Sequence, residues 1–379
     1  MENEYVTEFA TSPFYDSSTE SPIYRLDDPL QRLLLAIFTF LISVLGLPGN
    51  ALVVFALLTS RKLQTSTNVF VANLAVSDFV TCLVLPLHSI SLLSEKMPFP
   101  DPVCQAIGAL TYITIGASIV NLALIGFNRF YLITRPRVSY DKLYSKRNIT
   151  AMVVFSWLYI TLLVIIPPTF GFGALGYSRR YRLCTVDNSH KFAFYFEMFR
   201  SMFLQILFLI IVLVLYLLIY LFLKRKSAFN KNVSDEMQKR QAKVTKNLFF
   251  IVCAYIACVL PFGVTCVVPR SYVAIPWASM FTLVNSCVNP FIYGVNHPQF
   301  KEVFKCILTC RLRKIAEPSR LTKSLISLQT TSTILGDKYK PRSSISQSEG
   351  SRNLQKETDE QGETADMDFS KQMSNNEQV

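Results

Sequence analysis

From Val103 to Asn128 the chain runs for 26 residues without a charged side chain. As a helix this stretch is about 39 Å long, enough to cross a hydrocarbon layer of ~30 Å with some tilt. Backbone in lipid has no water to bond, so a crossing segment satisfies itself as a helix. Its ends are not plain. Cys104 stands at the start and Arg129 at the finish, within Gly126-Phe127-Asn128-Arg129-Phe130, and Ser118 and Asn121 lie at mid-depth. Polar groups in lipid are costly and mark function.

Six more segments share this length and character: Leu33–Leu58, Thr67–Leu93, Ile149–Phe170, Phe192–Leu223, Asn247–Val268 and Tyr272–Val295. Together with Val103–Ile133 they predict an all-α membrane protein, a seven-transmembrane helix bundle. Only 17% of residues are charged, against ~25% in soluble domains, which fits the same class. After the last segment, Phe300, Val303, Phe304 and Ile307 fall on one helical face, so a short amphipathic surface helix is expected there. The expected division is an extracellular N-terminus at 1–29, a receptor domain with its surface helix at 30–308, and a disordered cytoplasmic tail at 309–379.

The net charge of +12 raises nucleic acid as a partner, but the distribution of the cations argues against it. With the N-terminus outside, the inner loops and surface helix hold 20 Lys and Arg and the outer parts 8. Such asymmetry puts the basic loops in the cytoplasm. The acidic first 29 residues carry no basic stretch of a cleavable leader, so the first apolar segment is expected to direct insertion. The nine cysteines show no CxxC spacing, which excludes the usual zinc site.

Gly49-Asn50, Leu74-Ala75-Val76-Ser77-Asp78, Cys104, Asn128-Arg129-Phe130, Trp157, Pro261 and Asn289-Pro290-Phe291-Ile292-Tyr293 follow one another in order. In this the chain resembles the rhodopsin-like (class A) G-protein-coupled receptors over residues 30–308. The Asn128-Arg129-Phe130 variant and the Ile165-Ile166-Pro167-Pro168 exit are most similar to the melatonin-receptor-like, moody-like group. The resemblance implies a plasma-membrane receptor and not an enzyme. Its ligand, a small molecule or peptide, arrives from outside, and its partner inside is a heterotrimeric G protein.

The resemblance also assigns residues. Cys104 and Cys184 are the outward pair, joined as a disulfide or left as separate thiols. Asn50, Asp78, Ser118, Asn285, Ser286 and Asn289 form a central polar set. A lone Asp78 in lipid is either neutral and hydrogen-bonded or, as in the family, part of a sodium pocket; no other cofactor is expected. Arg129 is the switch residue, flanked by Asn128 and Phe130, with Tyr216 and Tyr293 placed to meet it. Relatives hold this arginine by an acid before it and another on segment six, where this chain has Asn128 and Gln241. A less firmly held resting state and raised basal signalling are therefore expected. Val259 replaces the family's tryptophan above Pro261, leaving Tyr255 or Phe262 to take that role, and Phe208 stands where segment five normally has proline.

Thr111 and Tyr112 stand where aminergic receptors have a carboxylate, and Leu283 stands where opsins carry the retinal lysine. The outer mouth is expected to draw on His88, Thr111, Tyr112, Arg182, Arg200, Phe262, Trp277 and Ser279. Glu197 and Arg200, spaced i,i+3, either pair with each other or leave Arg200 to hold an acceptor. Cys306 and Cys310 are candidate palmitoylation sites. The serines and threonines from Ser324 to Ser351 are candidate sites for receptor kinases and, once phosphorylated, for arrestin. A transporter is the remote alternative, disfavoured by the lack of internal repeats. A receptor without G-protein coupling is the nearer one.

Overall fold

The structure, a computed structural model, describes residues 25–229, 253–265, 268 and 273–328. Its helices are α1 (Pro29–Thr59), α2 (Ser66–Leu93), α3 (Asp101–Thr134), α4 (Arg137–Leu143), α5 (Lys146–Thr169), α6 (Ala193–Ser201), α7 (Leu207–Phe229), α8 (Cys253–Thr265), α9 (Ile275–Asn296), α10 (Pro298–Leu308) and α11 (320–328). Among the described residues five runs are long and apolar enough to cross a membrane: α1, α2, α3, α5 and Ala193–Arg225. α8 covers only part of the sixth expected segment; the rest of it lies outside the described residues. α9 has 22 residues, about 33 Å of helix, with Asn285, Ser286, Asn289 and Pro290 interrupting its apolar run.

The helix starts obey local chemistry. Asp28 accepts from the Leu30 amide at 2.9 Å with Pro29 at the first helical position. Thr65 and Ser145 cap α2 and α5 in the same way. The bundle is then polar inside and apolar outside. On α1, Leu34 and Phe40 are 45% and 50% exposed while Thr39 and Asn50 are at 0%. Lipid supplies no hydrophobic drive between helices, so polar and small side chains hold the interior instead.

The seam between α2 and α3 shows this best. Thr67 pairs with Asn128 at 2.6 Å, Asn73 with Asn121 at 2.8 Å and Ser77 with Ser118 at 2.9 Å. Thr81 pairs with Thr114 at 2.8 Å and His88 with Thr111 at 2.9 Å. Members climb one helix as they descend the other, and the seam fixes the register of an antiparallel pair. Trp157 of α5 joins it by donating to Asn73 Oδ1 at 2.8 Å.

Four features differ from or add to the sequence expectation. A π-helical turn, Met202–Ile206, separates α6 from α7 where one unbroken helix was expected. It turns Leu204, fully buried, toward Gly116 of α3, where a Cβ would sit 3.0 Å from a leucine methyl. Two strands, β1 (Leu175–Ser178) and β2 (Leu183–Val186), form an antiparallel hairpin pairing Tyr177 with Cys184. It lies against α3 at Gly108, where a Cβ would be 3.1 Å from the Thr185 carbonyl. The short α4 fills the loop after α3. Finally, the disordered tail expected from residue 309 needs correction at its start: 312–314 form a 3₁₀ turn, and Ile315, Ser319 and Thr322 are buried. Local polarity hid this, because the segment is held by backbone bonds to a distant loop.

α10 buries Phe300, Val303 and Phe304, with Phe300 stacked on Tyr293 at 5.3 Å. Residues up to Lys323 form one unit. A second begins at Ser324, of which 324–328 are described and helical.

Candidate functional site

The outer end is tied by the Cys104–Cys184 disulfide, which joins the start of α3 to β2. The hairpin tip and the chain before α1 are clamped together. Arg182, at φ 54°, pairs with Asp27 at 2.7 Å and Glu95 at 3.6 Å. Arg32, 4% exposed, donates to the carbonyls of Leu92, Leu93 and Ser94 and pairs with Glu95 at 2.9 Å. Arg182 thus faces carboxylates of its own chain.

The hydrogen bond from Arg182 holds the Asp27 carboxyl below the usual carboxylate range. Arg32 does the same for Glu95, and Asp27 raises Arg182 in turn. Asp27 contributes at neutral pH, and the contribution disappears as pH falls through that lowered value. The Asp27 carboxylate is more than half exposed, so only about 0.2–1 kcal/mol is at stake, less at high salt. Acidification below pH ~4 is expected to raise amide hydrogen exchange at residues 25–28 before the bundle unfolds. Unchanged exchange down to pH 3 would contradict the clamp.

Beneath this, Arg200 and Glu197 are paired, and the Arg200 guanidinium lies 4.0 Å over the Tyr112 ring. Tyr112 donates to Glu197 at 3.0 Å. The three form a closed triad between α3 and α6. His88 has a fixed tautomer. The Thr111 hydroxyl donates to the Ile107 carbonyl at 2.8 Å, so it accepts from His88 Nε2. His88 Nδ1 is then a buried acceptor with no partner among the described residues. Ser279 bonds back to Ile275 O at 2.8 Å, Trp277 packs on the cluster containing Leu26 and Leu183, and Phe262 is half-buried on α8.

At mid-depth the central set is brought together. Asp78, fully buried, accepts from Ser118 at 2.7 Å and from Asn289 at 2.9 Å. Asn50 donates to the Ser286 carbonyl at 2.8 Å. Its own oxygen is buried without a partner among the described residues. Asn285 and Ser286 are buried on the same face of α9. Tyr255 and Val259 belong to the core cluster below, and Phe208 meets Tyr159 edge-on at 5.7 Å.

At the inner end, Asn128 does not turn to Arg129. Its oxygen accepts from Thr67 at 2.6 Å and its amide donates to Tyr140 of α4 at 3.0 Å. Both partners are hydroxyls, from which an acid could also accept; the amide instead donates to Tyr140 and places no negative charge beside Arg129. Thr67 and Tyr140 were missed from sequence, because neither is adjacent to Asn128 along the chain. Arg129 makes no ion pair among the described residues, and its Nε is buried unpartnered. Tyr216, Tyr140 and Tyr293 are its electrostatic neighbours. Phe130 is half-buried beside it. Gln241 lies outside the described residues. At the foot of α10, Cys306 is half-buried and Cys310 exposed.

The description of the 7 transmembrane receptor (rhodopsin family) matches residues 49–293. Cuttlefish (Sepia officinalis) rhodopsin is 29% identical over 73% of this chain and 65% of its own length. The human neuropeptides B/W receptor type 2 is 29% identical over 74% of this chain and 87% of the relative. The mouse somatostatin receptor type 2 is 26% identical over 79% and 80%. The crystal structure of squid rhodopsin superposes with a TM-score of 0.66 at 26% identity, over 79% of this chain and 94% of the other. The chain spans about two thirds of the length of the cuttlefish protein, its remainder having no counterpart here. Motif order, the outer disulfide, the polar centre and the half-buried arginine agree with these matches: the chain is a multi-pass membrane protein belonging to the rhodopsin family of seven-transmembrane receptors.

Proposed function

We propose that this protein is a plasma-membrane receptor, N-terminus outside, that binds an extracellular ligand and activates a heterotrimeric G protein through rearrangement of its third, sixth and seventh membrane helices. The observation that carries this is Arg129: a half-buried cation at the end of α3 with tyrosines around it, its Nε buried and, among the described residues, no carboxylate holding it. Its five donors suit the free carbonyls of an inserted partner helix. Reconstitution with purified G protein and labelled guanine nucleotide tests it. Exchange above that of empty vesicles, rising with ligand, is expected; no exchange with any G-protein class would favour the receptor without coupling. That second reading is supported by Asn128, which locks to Thr67 and Tyr140 and so ties α3 to α2 and α4.

For the ligand, relatives named as neuropeptide and somatostatin receptors favour a peptide. Leu283 packs in an apolar cluster with Leu85, Leu92 and Met280, which supports a ligand that is not lysine-bound retinal. Sodium is the cofactor that fits the centre. Asp78 supplies charge, and the unpartnered Asn50 oxygen is an acceptor a cation would satisfy. Asp78→Asn is expected to abolish sodium sensitivity of agonist affinity, which in the parent protein should change at least threefold between 0 and ~150 mM NaCl. Equal sodium sensitivity in the variant would remove the ion from the account. Palmitoylation at Cys306 and Cys310 and an arrestin- and kinase-directed tail complete the proposal. The tail's sites beyond Leu328 lie outside the described residues.

A further inference from the structure

At the end of the bundle opposite the disulfide, the chain leaves α10 and doubles back. Cys310 and Glu317, at φ 54° and 53°, make the two turns. The returning strand then pairs with the loop after α1. Arg61 N donates to Glu317 O at 2.9 Å, and Ser319 N donates to Thr59 O at 2.9 Å. The Thr322 hydroxyl, fully buried, donates to the same Thr59 carbonyl at 2.7 Å, and Ser60 Oγ reaches Ala316 O at 3.2 Å. Four bonds between segments some 260 residues apart, with Ile315 buried beneath them, make this a built return.

The return encloses a cavity of about 310 Å³ between itself, α10 and the loop after α1. That is at the small end of the ~300–1,000 Å³ range of ligand pockets. Its wall carries Lys62 from the loop, Lys305 from α10, and Arg311 and Lys314 from the return. One carboxylate, Glu302, shares it. Lys62 and Glu302 are 3.9 Å apart, at the outer limit of an ion pair, with both side chains exposed. Lys305, Arg311 and Lys314 have no carboxylate partner among the described residues. Four cationic residues from three separate elements therefore border one small cavity.

The geometry points to a binding site here for a phosphorylated ring of the inositol phosphate class, presented as a phosphoinositide headgroup or as a free inositol phosphate. Phosphate takes several charge-assisted bonds at once, and arginine offers it a fork. Basic pockets at the cytoplasmic margin of membrane helices suit such headgroups. A single-charge headgroup would leave most of the four cations unanswered, so the site prefers a ligand with two or more phosphates. The folded-back strand makes the cavity, and the ligand in turn would hold the strand down.

The test uses the full chain in phosphatidylcholine nanodiscs. Short-chain phosphatidylinositol bisphosphate, inositol trisphosphate and short-chain phosphatidylserine are titrated separately. Saturable binding of at least one inositol ligand is expected, with phosphatidylserine at least tenfold weaker. K62Q/R311Q/K314Q should weaken binding tenfold or more, and Glu302→Gln should tighten it severalfold. The charge-matched K301Q/R320Q/K323Q should change it less than twofold. Binding by the lipid alone assigns the membrane as source, and binding by inositol trisphosphate alone assigns the soluble form; either upholds the site. No saturable binding, equal competition by phosphatidylserine, or equal loss in both triple variants would overturn it. Should the first triple variant fail to fold, Ala316→Trp fills the cavity without changing charge and should weaken binding by the same order.

Discussion

Replacing Arg129 by alanine is expected to lower ligand-stimulated nucleotide exchange on reconstituted G protein roughly 100-fold without lowering stability. The two halves have one cause. Among the described residues the guanidinium has no ion-pair partner, and its Nε is buried and unsatisfied. A half-buried charge with no compensating carboxylate among the described residues contributes little to folding, so its removal is neutral or stabilising by about 0–2 kcal/mol. The lost function is the forked set of donors offered to the partner's carbonyls, worth about 2.7 kcal/mol at 100-fold. Arg129→Lys should fall between, since a point charge cannot reproduce the fork. Labelled-nucleotide exchange and a thermal-unfolding scan on the same preparations check both halves. Undiminished exchange would remove Arg129 from the mechanism; a large loss of Tm would make its role structural.

Arg32→Met should be the most damaging single change to stability at the outer end, at about 2–4 kcal/mol. Arg32 sits in the first turn of α1, yet its donors serve the end of α2: Leu92 O at 2.8 Å, Leu93 O at 2.9 Å and Ser94 O at 3.1 Å. These carbonyls belong to a helix end that lacks intrahelical donors, and only Ser94 O has a second one, Arg182 at 3.3 Å. Methionine keeps the apolar stem and removes every Arg32 donor, leaving Leu92 O and Leu93 O without that bond. A fall in Tm of several degrees is expected in detergent or nanodiscs. Glu95→Gln should leave the Tm unchanged within error, because that carboxylate is 78% exposed. Equal effects from the two substitutions would mean that the ion pair, and not the helix cap, carries the stability.

Much of this was legible in the chain itself. Charge-free runs of membrane length located the helices, and α2 and α3 start and end within two residues of the expected positions. The lone Asp78 in an apolar run announced a polar centre, and Ser118 and Asn289 are there to meet it. Pattern was less informative wherever a partner came from far along the chain. Arg182 and Arg200 read as cations available to a ligand or, for Arg200, to Glu197. The fold set Arg182 against Asp27 and Glu95, and Arg200 against Glu197 and Tyr112. Asn128 read as a missing acid. In the fold it is a two-sided amide between Thr67 and Tyr140.

The sequence by itself determined the class and the number of crossings, because lipid imposes length, apolarity and helical backbone on every crossing segment alike. Tertiary structure alone decided which buried polar groups neutralise one another, that Arg129 has no ion-pair partner among the described residues, and that residues 311–322 return to the loop after α1 to border a basic cavity. Those outcomes depend on hydrogen bonds between residues tens to hundreds of positions apart, and a periodic pattern along the chain carries no record of them.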